Sequence, residues 1–207
     1  MKKILLVFAL LIALCSDTLF AQDYKEYMKL YREGYKSSFT TNPTAPLKAE
    51  DMINIHFYEP DEKYVMQANI ELIINSTPFK MPTYDGSSKE FIRYATATGK
   101  VNGKNIKLTL YKNLELSNNP TYKDYLFLPF TDLTNDKETY GGGRYMDFRI
   151  QEIENGKLII DFNKAYNPYC AYSTGYRCPV PPEENNLNIK ISAGERKYTG
   201  AIKNRIL

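Results

Sequence analysis

Residues 91–112 read FIRYATATGKVNGKNIKLTLYK, and their alternation decides the fold. Asn102-Gly103 is a pair that a two-residue hairpin turn favours, because both central positions need positive φ. With Val101 set opposite Lys104, one face collects Ala95, Ala97 and Val101 with Ile106, Leu108 and Leu110. The other face collects Tyr94, Thr96, Thr98 and Lys100 with Asn105, Lys107, Thr109 and Tyr111. A slip of one residue would send the apolar set to the wrong side, so the register is specified.

Working outward from this hairpin, the same period of two marks candidate strands over 53–58, 64–74, 91–101, 104–112, 125–130, 145–153, 157–163 and 187–192. Short strands with turn signals between them, and no helical pattern among them, predict a mainly β fold, an antiparallel barrel or strongly curved sandwich. Residues 51–207 form its single domain. Ahead of them, DYKEYMKLYREGYK (23–36) places Tyr24, Tyr27, Met28, Tyr31 and Tyr35 at helical intervals, with Asp23 as N-cap. This N-terminal amphipathic helix docks on the domain through its tyrosine stripe, and the Pro-containing linker 40–49 completes a 22–50 unit.

A second hairpin turns at Glu154-Asn155-Gly156. A three-residue loop pairing Ile153 with Lys157 sets Phe148 against Phe162 and Ile150 against Ile160, which keeps the faces separate. Arg149 then meets Asp161, and Asp147 meets Asn163. This polar face is either a cross-strand ion pair in water or a floor inside a barrel mouth that orients a ligand.

Two neighbouring stretches add to it. Glu138-Thr139-Tyr140-Gly141-Gly142-Gly143-Arg144 lets backbone approach a partner closely and places an arginine beside it. Residues 163–185 are Pro- and Tyr-rich and hold Cys170 and Cys178, a length of irregular chain that is often functional. The expected ligand floor is Arg144, Asp147, Arg149, Asp161 and Asn163, with Tyr140, Tyr145 and Tyr166 as walls. The expected partner is a small molecule or peptide.

Catalytic signatures are sparse. There is no G-x-S-x-G and no H-E-x-x-H, and Gly86-Ser87-Ser88 lacks the strand–turn–helix setting of a nucleophile elbow. A metal-independent hydrolase would draw on Glu138, Asp161 or His56 as acid or base. A third reading is a structural envelope protein whose tyrosines contact a partner chain.

The ends and the composition set the compartment and exclude whole classes. Met1-Lys2-Lys3, the eleven apolar residues 4–14 and Leu19-Phe20-Ala21 form the three-part pattern of a secretory signal peptide over 1–21, cleaved near Ala21. The apolar run is too short for a transmembrane span, which needs about 20 residues. Cys15 raises lipidation as an alternative, although Leu14 before it is large for a lipoprotein signal. After cleavage the protein is exported, periplasmic or secreted, and Cys170 and Cys178 are expected to form a disulfide. In 207 residues there are 27 Lys plus Arg, 24 Asp plus Glu, one His and three Cys. That balance, with scattered basic residues, implies no nucleic-acid partner, and so few soft ligands imply no metal or other cofactor.

The stretches YLFLPFTDLTNDKETYGGGRYMDF, IIDFNKAYNPYCAY and CPVPPEENNLNIKISAGE, between Tyr125 and Glu195, resemble the bacterial family known as domain of unknown function 1684. The likeness spans most of the mature chain, from near Ala45-Pro46-Leu47 onward. It implies no particular activity. It marks the ETYGGGRY turn, the DFN strand with AYNPYCAY, and the CP-x-PP-x-EN loop as the family's signature.

Overall fold

The computed structural model describes residues 2–205, with side chains described from Gln22 onward. Cys15 and the cleavage site expected near Ala21 lie outside the described side chains. Helix α1 (Lys2–Thr41) leads into eight strands: β1 (Val65–Leu72), β2 (Phe79–Pro82), β3 (Ser88–Val101), β4 (Lys104–Asn113), β5 (Tyr125–Asp132), β6 (Arg144–Arg149), β7 (Lys157–Asp161) and β8 (Asn186–Leu187). They form one curled sheet in the order β6-β5-β4-β3-β1-β7, with β2 beside β3 and β8 beside β5. All pairs are antiparallel except β5 with β8.

The sheet is a half-barrel whose concave side carries the main core, including Met66, Ala97, Leu108, Leu128, Met146 and Ile160. The β3–β4 hairpin has the expected register, Val101 opposite Lys104 and Ala97 opposite Leu108. A second aromatic layer covers the convex side of β3 to β6, built on Phe91, Tyr111, Phe127 and Tyr145. Phe127 lies 4.7 Å from Tyr145 and 5.9 Å from Phe91, ring centre to ring centre. α1 packs on the 3-10 turns at Ala49–Asn54 and Phe162–Lys164, burying Met28 and setting Phe39 into a third cluster with Leu47, Ile55 and Tyr172.

Four expectations are corrected. The second hairpin does not continue as a ladder: β6 pairs with β5, and β7 pairs with β1. Glu154 and Lys157 exchange both backbone hydrogen bonds at 2.9 Å around a two-residue Asn155-Gly156 turn, and the strands then part. The reason is competition. β1 offers β7 a run over 65–69 that sets Met66 against Ile160 and Ala68 against Leu158, apolar to apolar. On the other side, Ile150–Glu152 curls into a 3-10 turn, with the Glu152 carboxylate accepting from the Arg149 N–H at 2.6 Å. The face that would have joined Arg149 to Asp161 and Asp147 to Asn163 is therefore never assembled.

Residues 53–58 are not a strand. Ala49–Asn54 is a 3-10 helix, because Asp51 reaches back to accept from the Lys48 N–H at 2.9 Å and fixes the turn. At 187–192 only Leu187 lies in a strand, since side chains replace the ladder beyond it: Arg144 donates to the Ile191 carbonyl at 2.8 Å, and Asp132 accepts from the Ile191 N–H at 3.2 Å. β2 was hidden by its shortness and by Pro82, which the edge position tolerates.

Candidate functional site

The expected site residues separate into three groups. The first holds the fold. Arg144 is fully buried on the concave side, paired with Asp132 at 2.7 Å and donating to the Ile191 and Ala193 carbonyls. Asn163 is equally buried, bonded through its side chain to both the N–H and the C=O of Asp61 at 3.0 and 2.9 Å. Asp161 caps Asn163 and accepts from the Tyr24 hydroxyl at 3.0 Å, so it anchors α1. The glycine run serves packing: Gly143, at φ +87°, leaves no room for a Cβ, which would stand 2.6 Å from the Phe130 carbonyl.

The second group is scattered over the surface. Arg149 pairs with Asp124 at 2.8 Å. Tyr140 packs edge-on against Tyr84. His56 bonds Thr199 at 3.0 Å, and Glu138 accepts from Tyr58 at 3.0 Å and lies 3.4 Å from Lys190. No hydrogen bond joins any two of the catalytic candidates Glu138, Asp161 and His56 among the described residues, and they do not share one cavity.

The third group comes together. Tyr145, Asp147 and Tyr166 line a cleft of about 510 Å³ between the convex face of β6, α1 and the irregular segment 166–179. Strand alternation aims Tyr145 and Asp147 away from the core, while Met146 and Phe148 point into it. α1 contributes Tyr31, Tyr35 and Phe39, and the loop contributes Tyr169 and Tyr176, so half of the lining residues carry phenol or phenyl rings. Cys170 and Cys178 lie at disulfide distance, Cα atoms 6.2 Å apart, and pin the loop that forms the far wall. The loop's near end is fastened to β6, since Tyr145 and Tyr166 exchange backbone hydrogen bonds at 2.9 and 3.0 Å.

Asp147 is the polar centre of the cleft. It is exposed to solvent in the cleft, and desolvation by the groups crowded around it raises its carboxyl above the ordinary carboxylate value. Two hydroxyls oppose that shift: Tyr125 donates at 2.6 Å, and Tyr166 lies 2.8 Å from both oxygens. Burial and the Asp147 charge in turn push the Tyr166 phenol well above its ordinary value, and that of Tyr31 to about 12. These tyrosines are hydrogen-bond donors and apolar surface at neutral pH, not bases. Lys89 and Arg177 are the cations that line the cleft.

Behind the wall lies a buried carboxylate. Glu195 accepts from Tyr35 at 2.9 Å, Tyr172 at 2.7 Å and the Asn167 N–H at 2.9 Å, and burial raises it to about 7. Glu195, Lys89 and the α1 residues were missed by sequence reasoning. For Tyr31 and Tyr35 a signal existed in the helical tyrosine stripe. Glu195 follows a Ser-Ala-Gly step with no periodicity to mark it, and only the family likeness reached it.

Among the described residues no group of three or more His, Cys, Asp or Glu side chains is placed to hold a metal ion, and no helix is long and apolar enough to cross a membrane. No curated protein matches the chain. Among solved structures, the solution NMR structure of an uncharacterised protein from gene locus rrnAC0354 of Haloarcula marismortui is similar, at 27% identity and a TM-score of 0.64. The likeness covers 85% of this chain and 95% of that one. The family profile for proteins of unknown function DUF1684 matches residues 50–196, which contain the half-barrel, Asp147 and the disulfide loop, and the chain belongs to that family.

Proposed function

We propose that the protein is an exported module that binds a small molecule in the cleft over Asp147. The observation that carries this reading is a single one: a solvent-exposed carboxylate, already holding two tyrosine hydroxyls, in a cleft of ligand size whose lining is half aromatic. Tyrosine offers large, stiff, amphipathic area that stacks on a ligand at small entropic cost. An ionised carboxylate accepting two bonds still has lone pairs left for a ligand's hydroxyl or amine. The binding floor is thus Asp147 with Tyr125 and Tyr166, in place of the wider Arg/Asp/Asn floor expected from spacing.

Export is supported by the basic start, the apolar run 4–14 and the small residue at Ala21. N-terminal sequencing of protein recovered from the producing cell should begin at Gln22; an intact Met1 would refute the cleavage. The binding reading is tested by a fragment screen followed in 1H–15N spectra. Binders should shift the amides of residues 145–147 and 166–178 and lose affinity in Asp147→Asn. Hits that cluster elsewhere on the half-barrel would sink it.

A further inference from the structure

We infer that the ligand is a ring-bearing monocarboxylic acid, held with its carboxylate on Lys89 and Arg177 and a hydroxyl or amine on Asp147, the three charged side chains of the cleft. This rests on the cleft being a binding site and adds the ligand's chemistry.

Lys89 lies two residues before Phe91 on β3, so it shares the convex face with the aromatic layer and extends over its edge toward Tyr145. It is half-buried and makes no ion pair or side-chain hydrogen bond among the described residues. A cation that gives up water without gaining a partner is costly, and here burial together with the Arg177 charge lowers its pKa. Arg177 is partly compensated: its Nε lies 3.5 Å from Asp85 and donates to Ser87 Oγ at 3.0 Å. Asp85 is itself held by Thr83 and Ser87 hydroxyls. Asp85 and Glu115 both act on Lys89 and offset the two cations, so no excess positive charge is left for a dianionic phosphate, and a monocarboxylate is the anion that the pair suits. Asp147 has the opposite preference, since it repels anions and accepts donors. Beside these charged groups the lining is led by the rings of Tyr31, Tyr35, Phe39, Tyr145, Tyr166 and Tyr169, so a ring is the middle that the cleft packs best.

The experiment compares 4-hydroxyphenylacetate with its neutral counterpart 2-(4-hydroxyphenyl)ethanol and with phenylacetate, which lacks the donor, by chemical-shift titration of the whole protein. The acid should bind about tenfold or more tightly than the alcohol, the effect of one charge-assisted contact. That preference should vanish in Lys89→Met, and the preference for the hydroxylated acid over phenylacetate should vanish in Asp147→Asn. The peptide Ala-Ala-Tyr and its C-terminal amide separate two sources of the same chemistry: if the peptide acid outbinds the free acid, the natural carboxylate is a chain end. Alcohol and acid binding equally at the cleft would overturn the carboxylate assignment while leaving the binding site standing. Shifts confined to other surfaces, or none, would overturn both. The wild-type comparison decides even if a variant fails to fold.

Discussion

The hydroxyl of Tyr35 donates to the buried carboxylate of Glu195 at 2.9 Å, tying α1 to a segment 160 residues further along the chain. Burial raises that carboxyl from an ordinary 4.5 to about 7, against the pull of its three donors. The folded protein therefore holds this proton more tightly than the unfolded chain does. This group's contribution to stability is fully present below the unfolded value, is lost as pH rises from about 4.5 to about 7, and changes no further above. Thermal melts from pH 4 to 8 should show this slope in the wild type and a shallower one in Glu195→Gln, in which only Asp147 still adds a component of the same sign.

Arg144 and Asp132 form an ion pair with no exposure of either side chain to speak of, and Arg144 also satisfies carbonyls of the 191–195 segment. Removing one partner strands the other. Arg144→Met and Asp132→Asn should each cost about 3–5 kcal/mol in urea unfolding, and the double variant clearly less than the sum.

The Tyr125 and Tyr166 hydroxyls stabilise the ionised form of Asp147. Tyr166→Phe should therefore raise the Asp147 pKa further, by an amount readable in a 13C carboxyl titration, and Tyr125→Phe should do the same. An unchanged titration would mean that these hydroxyls point elsewhere in solution.

Reducing Cys170–Cys178 frees the far wall of the cleft without touching the sheet. The closed loop is short, so chain entropy alone gives about 2.5 kcal/mol. Hydrogen exchange should quicken across 166–179 while β3 and β4 amides keep their protection.

Where sequence reading succeeded, the information was local. The Asn102-Gly103 turn and the alternation on either side of it define a pairing that nothing distant disputes. It failed at 145–163, where the same kind of turn at Asn155-Gly156 is followed by two strands that each find a better partner. A ladder between β1 and β7 joins residues about 90 apart, and nothing in the local pattern announces it. The site was half legible for the same reason. Tyr145, Asp147 and Tyr166 were singled out and do share a cleft, but the other wall comes from α1 and Lys89 from β3. The signature stretches proved mixed: Arg144, Asn163 and Asn185 hold buried backbone, whereas Tyr145, Tyr166 and Tyr169 face the cleft.

The Tyr145–Tyr166 backbone exchange has one further effect. β6 ends the sheet, and its outer row of amides and carbonyls would otherwise be open to a strand from a neighbouring molecule. Tyr166 takes up that row at Tyr145, so the loop that walls the cleft also acts as a selvedge at one point of the half-barrel's rim. The Cys170–Cys178 pair that pins the loop therefore also keeps this point of the edge covered against another strand.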